Sequence, residues 1–201
     1  MIAIIDYGAG NLFSVKNALD YLGEAYCITN DREEIMKADS MILPGVGAFP
    51  YAMDMLEKTG LIDTIRKEVE KKPLLGICLG MQMLFEEGYE FEKRDGLGFI
   101  PGTVEPLPDT GLKIPHMGWN QLRIHQPENP LLKGISPQDC VYFVHSYVAR
   151  TEAQYIAADC EYGTAVPALV ARGNVFGAQF HPEKSGEVGL QILRNFGGLT
   201  K

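Results

Sequence analysis

The chain has no apolar run approaching the roughly 18 residues that a membrane-spanning helix needs, and no surplus of positive charge. Its 26 acidic residues against 18 basic ones leave a net charge of −8. That balance removes the electrostatic ground for a nucleic acid or an anionic membrane surface as partner, since either requires a basic face. Close cysteine pairs are also missing. Cys27, Cys78, Cys140 and Cys160 lie far apart and make no C-x-x-C or short Cys/His pattern, so no metal site is expected. The first strand-like run, Ile2-Ala3-Ile4-Ile5, follows Met1 directly, with no secretory leader ahead of it. The expectation is a cytoplasmic protein with free thiols.

What is there is ordinary in amount: 201 residues, 46% hydrophobic and 22% charged, enough for a single domain over 1–201 with one sizeable core. From Ile2 to about Phe85, short apolar runs alternate with helical periodicity, the pattern of a mainly parallel α/β sheet flanked by helices. Ile2–Asp6, Ala25–Thr29, Ser40–Leu43 and Leu74–Ile77 read as strands. Asn11 reads as the N-cap of a helix with Leu12, Val15, Ala18, Leu19 and Leu22 on one face. Gly23 ends that helix. Asp31 and Glu34 form a capping-box pattern, and Leu61, Ile62, Ile65 and Val69 mark a further helix that Pro73 closes. Pro44-Gly45-Val46-Gly47 is expected to stop the third strand and form a loop.

The second half carries shorter strand-like runs, several of them antiparallel: Thr103–Leu107, Gln121–Ile124, Val141–Val144, Tyr155–Ala158, Ala168–Ala171 and Val175–Phe180. Glu187–Phe196 reads as a closing helix. The most loop-like segments are Glu86–Asp95 and Pro106–Lys113.

Gly76-Ile77-Cys78-Leu79-Gly80 lies where a buried strand should turn into a helix, the geometry of a nucleophile elbow with cysteine in place of serine. Flanking glycines suit a tight turn, and a helix start offers free N–H groups and partial positive charge to a thiolate or an oxyanion. Taken alone, Cys78 is equally a small buried apolar residue. Gln179-Phe180-His181-Pro182-Glu183 leaves the end of a strand. With Pro182 holding the chain extended, His181 and Glu183 should project to the same side, so the carboxylate can orient an imidazole that serves a thiol. Taken alone, H-P-E is equally a solvated surface turn. Lone histidines such as His116, His125 and His145 are more commonly structural.

Elbow and H-P-E together, with Gln82 completing Gly-x-Cys-x-Gly-x-Gln, resemble the class I glutamine amidotransferase family. The likeness runs in order from Asp6-Tyr7-Gly8-Ala9-Gly10-Asn11 to Ser185. It implies a single-domain flavodoxin-like fold and glutamine hydrolysis by a Cys78-His181-Glu183 triad through a thioester, without cofactor. It further implies an oxyanion hole from Leu79 and a movable loop at Val46 or Gly47, and glutamine binding by Gly45, Gly47, Gln82, Glu90 and Ser146. Within the family, Ile114-Pro115-His116-Met117-Gly118-Trp119-Asn120, Pro44–Phe49 and Tyr142–Tyr147 resemble the branch serving imidazole glycerol phosphate synthase in histidine biosynthesis. That branch implies a heterodimer with a (β/α)8 cyclase, docked through Asn11, Trp119, Tyr142 and Lys184. Glutaminases of anthranilate or pyridoxal phosphate synthesis, or a stand-alone cysteine hydrolase, would keep the nucleophile and lack the P-H-M-G-W-N string.

Overall fold

The computed structural model describes residues 1–200. The first half is built as expected from strand–helix alternation: β1 (Ile2–Ile5), α1 (Leu12–Leu22), β2 (Tyr26–Thr29), α2 (Arg32–Lys37), β3 (Ser40–Gly45), α3 (Phe49–Thr59), α4 (Ile62–Val69), β4 (Leu74–Cys78) and α5 (Leu79–Gln82). Asn11 caps α1 by accepting from the Ser14 N–H, and Gly23 ends it in the left-handed region at φ 69°. Only half of the capping box forms at α2: Asp31 Oδ1 accepts from Glu33 and Glu34 N–H, while the Asp31 N–H goes to Thr29 Oγ1.

After α5 come β5 (Phe85–Gly88), β6 (Arg94–Asp95), β7 (Ile100–Pro106), β8 (His116–Gln121), β9 (Arg123–Ile124), β10 (Cys140–His145), β11 (Tyr147–Arg150), β12 (Ile156–Glu161), β13 (Ala165–Arg172), β14 (Val175–Ala178) and α6 (Gly186–Gly197). The main sheet has the order β2-β1-β3-β4-β14-β13-β12-β9. Its first five strands are parallel and its last three antiparallel, so it is mixed but mainly parallel on the site-bearing side. The parallel part repeats the 2-1-3-4-5 order of flavodoxin-like sheets. Two smaller antiparallel or mixed sheets, β10-β8 and β11-β7-β5-β6, stand beside it.

Alternate residues of each inner strand serve opposite faces, which is why these strands read as continuous apolar runs. Ile2, Ile4, Ile42, Leu75 and Ile77 pack with Val15 and Leu19 of α1 and Ile192, Leu193 and Phe196 of α6. Ala3, Ile5, Met41, Leu43 and Leu74 pack with Ile35 of α2, Phe49, Met53 and Leu56 of α3, and Ile65 of α4.

Two expectations are corrected, and one helix is added. Pro44-Gly45 does not stop β3, which pairs onward as Pro44↔Ile77 and Gly45↔Cys78. The Met41 N–H bonds Pro73 on the β4 side, so alternation turns the missing donor of Pro44 towards β1, whose pairing with β3 has ended at Ile42. Tyr7 Oη donates to the Pro44 carbonyl at 2.8 Å in the place of a strand partner. The stretch Glu86–Asp95, expected as loop, carries strands β5 and β6 despite its charge, because β7 supplies a pairing edge. Phe49–Thr59, not read as an element, is a two-sided helix burying Phe49, Ala52, Met53 and Leu56.

Lys72 offers a stability test. Its side chain is 9% exposed, and its ammonium pairs with Glu68 at 2.8 Å and donates to the Ile35, Met36 and Ala38 carbonyls at the end of α2. Lys72→Met should strip the donor from three carbonyls, two of them buried, and leave Glu68, whose carboxyl Lys72 first of all holds low, with only the exposed Lys71. A loss of about 3–5 kcal/mol is expected, read as a lower urea midpoint at unchanged slope.

Candidate active site

The parallel strands β3, β4 and β14 are neighbours and end at one edge of the sheet, so the segments leaving them meet there: Val46-Gly47, Cys78-Leu79 and His181. Ligand sites of open α/β sheets form at such carboxyl ends. Cys78 closes β4 and precedes α5 at φ 54°, ψ −111°, a conformation that residues other than glycine avoid. The close approach around it dictates the glycines. A Cβ on Gly80 would collide with the Leu43 carbonyl oxygen, one on Gly45 with the Gly80 nitrogen, and one on Gly76 with the Gly80 carbonyl. The G-I-C-L-G spacing is therefore a packing requirement of three backbones crossing beneath one thiol.

The helix after Cys78 is only four residues long, ending as buried Met83, Leu84 and Phe85 lead into β5. The fully buried run has no polar face to sustain an amphipathic helix. A helix this short offers Cys78 little dipole, and the thiol's hydrogen-bond partner is His181.

His181 follows β14, and its N–H is held by the Tyr142 carbonyl at 3.0 Å. Its Nδ1 lies 2.8 Å from Glu183 Oε1, with both side chains at most 3% exposed. The two project together as expected, but not from extended chain: Pro182 opens a 3-10 turn over Pro182–Lys184, its fixed φ suiting a helical first position. Ser185, which sequence reasoning passed over, locks this turn by donating to the His181 carbonyl at 2.7 Å and accepting from the Tyr142 N–H at 2.9 Å. Burial disfavours the imidazolium, yet hydrogen bonds to Cys78 and Glu183 override it and raise the His181 pKa to about 9. Cys78 Sγ also lies 3.8 Å from the Val144 carbonyl oxygen.

These groups face a cavity of about 310 Å³. Of the sequence-expected residues, Val46, Gly47, Leu79, Gln82, Glu90 and Ser146 line it with Cys78 and His181; Gly45 does not, being buried under α5. Gln82 Nε2 is held by the Tyr147 carbonyl at 3.2 Å and by Gln179 Oε1 at 3.0 Å. Glu90 Oε2 accepts from the Phe49 N–H at 2.7 Å, capping α3, whose own cap position, Ala48, has no side-chain acceptor. Gly47 sits at φ 98° with open space where a Cβ would project.

Trp119 and Tyr142 are register partners on β8 and β10, with rings edge-on at 6.0 Å. Trp119 is 58% exposed, and Lys184 is exposed beside them. Asn11 caps the start of α1, its side-chain oxygen accepting from the Ser14 N–H.

Sequence reasoning missed Pro115, Val144, His145 and Tyr147 as cavity wall. His145 bonds His116 at 2.9 Å, and burial lowers the pKa of each to about 4. Between about pH 6.5 and 4 the unfolded chain takes up protons at these two positions and the folded chain does not, so stability should fall with acidification by up to about 1.4 kcal/mol per pH unit for each histidine. Urea unfolding between pH 7 and 4.5 should show this slope, and His145→Gln should flatten it.

The model of the family "Glutamine amidotransferase class-I" matches residues 3–197. The chain is 53% identical over its whole length to imidazole glycerol phosphate synthase subunit HisH of Bacillus cereus (strain ATCC 14579), covering 96% of that protein. It is 50% identical over the same span, with the same coverage, to the subunit HisH of Bacillus anthracis (strain A0248). Among solved structures, a glutamine amidotransferase superposes with TM-score 0.75 at 22% identity, covering 98% of this chain and 100% of that one. PurLQS from Thermotoga maritima superposes with TM-score 0.74 at 20% identity, covering 100% and 98%. At those identities the structures speak for the fold alone. The matched family model and whole-length identity of half or more place the chain in the class I glutamine amidotransferase family, a family of glutamine-hydrolysing enzymes, in its branch of imidazole glycerol phosphate synthase HisH subunits.

Proposed function

We propose that Cys78, His181 and Glu183 hydrolyse glutamine, and that the ammonia passes to a (β/α)8 cyclase partner that makes imidazole glycerol phosphate and AICAR. The observation that carries this reading is the strained Cys78 turn facing the cavity beside a buried His181–Glu183 pair. His181 accepts the thiol proton and the thiolate adds to the carboxamide carbon. The Leu79 N–H, next after the nucleophile, is the first donor to the developing oxyanion, with a second from Val46 or Gly47. Collapse of the intermediate expels ammonia with the proton from His181 and leaves a γ-glutamyl thioester. Water, deprotonated by His181, then releases glutamate and restores the thiol.

Gln82, Glu90 and Ser146 hold the substrate. The Glu90 carboxylate, anchored on one oxygen by Phe49, suits the ammonium of a free amino acid. Gly45 acts through packing rather than contact. Free ammonia is protonated in water and lost as a nucleophile, which favours direct transfer to a partner seated over Trp119, Tyr142 and Lys184, with Asn11 at its edge. The bacterial relatives and the free cysteines Cys27, Cys78, Cys140 and Cys160 support a cytoplasmic setting.

The test is ammonia release from glutamine by the purified chain, alone and with an imidazole glycerol phosphate synthase cyclase subunit plus its nucleotide substrate. Strong stimulation in the mixture is expected. Indifference to the cyclase, or cleavage of peptides instead of glutamine, overturns the reading.

A further inference from the structure

The buried His116–His145 pair is a cluster of ionisable groups that the proposed chemistry leaves unused, and its hydrogen bonds can run in only one direction. At one end, His145 Nδ1 lies 2.8 Å from the Tyr147 carbonyl, which can only accept, so this nitrogen carries hydrogen. At the other end, two backbone groups orient Asn120. Its Oδ1 accepts from the Gln121 N–H at 2.8 Å and its Nδ2 donates to the Glu161 carbonyl at 2.9 Å, so a donor also faces His116 Nε2 at 3.3 Å. His116 must then donate from Nδ1 to His145 Nε2, 2.9 Å away. One neutral tautomer of each ring satisfies every contact. An added proton sets two N–H groups against each other somewhere along the chain.

The chain ends in the cavity wall but does not begin there. His116 is 2% exposed, stacked between Tyr162 and Phe143 at ring distances of 3.9 and 4.7 Å, and is not part of the cavity lining. His145 is part of it, between Val144, whose carbonyl faces Cys78, and Ser146. The Tyr147 carbonyl that receives His145 also receives Gln82.

We infer that His116 is a positioning residue for glutamine: acting through His145, it fixes the Val144–Tyr147 wall and the carbonyl that orients Gln82, without itself touching the cavity. The inference rests on the glutaminase reading of that cavity and adds to it a residue outside the contact shell.

Steady-state kinetics on the complex with the cyclase subunit separate this role from packing. His116→Leu keeps an apolar side chain between Phe143 and Tyr162 but offers His145 no donor. It should raise KM for glutamine about tenfold or more while kcat stays within about threefold. His116→Gln, whose amide can donate, should recover most of that KM. Unchanged KM in His116→Leu, or equal damage in both variants with kcat falling alongside, overturns the inference while leaving a functional wild-type glutaminase. A wild-type complex that releases no ammonia from glutamine overturns the proposed function, and the inference with it. Imidazole nitrogen NMR of the wild-type complex needs no variant to fold. Both rings should be neutral at pH 7 with hydrogen on Nδ1; hydrogen on Nε2 of either ring overturns the inference.

Discussion

Cys78→Ala is expected to lower glutamine-dependent synthesis by roughly four orders of magnitude or more, leaving synthesis from ammonium salts by the cyclase partner intact. The change is small in volume and leaves the surroundings in place. Gly76 and Gly80 still permit the close backbone crossing, and the His181–Glu183 hydrogen bond at 2.8 Å does not depend on sulfur. What is lost is the one thiol lining the cavity among the described residues, together with the hydrogen bond that helps to raise the His181 pKa. The pKa of His181 in the variant should therefore move down, which imidazole NMR can follow. Parallel assays with glutamine and with ammonium salts decide the matter. Loss of both activities would point to failed assembly, and retention of glutamine turnover would remove Cys78 from the mechanism.

Glu183→Gln should reduce glutamine turnover by about 10²–10⁴ with little change in folding. The carboxylate is buried, bonds His181 through Oε1, and has no hydrogen-bond partner on Oε2 among the described residues. An amide of the same shape can keep the Oε1 contact without breaking another bond, so the variant mainly removes charge. It also lets the amide turn its NH₂ towards Nδ1, which moves the ring hydrogen to Nε2 and leaves His181 unable to accept the thiol proton. Since Glu183 is one of the two groups that raise His181 against the effect of burial, the His181 pKa should fall. The pH profile of ammonia release by the complex should follow it downwards. Turnover within tenfold of wild type, with an unshifted profile, would show that Glu183 does not orient His181.

Much of this site was legible because its determinants are local. The glycines around Cys78 could be read from the needs of a tight turn alone, and the first four parallel strands from apolar runs between helical periods. Elsewhere the deciding partner is remote. Helix α3 carries a clear apolar face, but Pro50 stands near its start and Ala48 cannot cap it; the cap comes from Glu90, 41 residues on from Phe49. Strands β5 and β6 have no alternating pattern, and β8 was not read over His116–Asn120; only its last residue, Gln121, fell in the expected run Gln121–Ile124, which the structure divides at Leu122. Pro182 was expected to extend the chain and instead opens the turn that brings Glu183 to His181.

The sequence by itself determined that Cys78 sits in a crowded strand-to-helix turn, that an H-P-E segment leaves a later strand, and which family the chain resembles, because spacing and the absence of side chains act within a few residues. Only the tertiary structure decided how the thiol is served. Pairing of β3, β4 and β14 brings residues about 100 positions apart to one edge. Folding of β8 against β10 buries His116 beside His145 and makes a cavity wall of Val144–Tyr147, whose string does not by itself say which side chains face the cavity. Such contacts depend on which strands become neighbours, and that choice is made by packing the whole core rather than by any local stretch of chain.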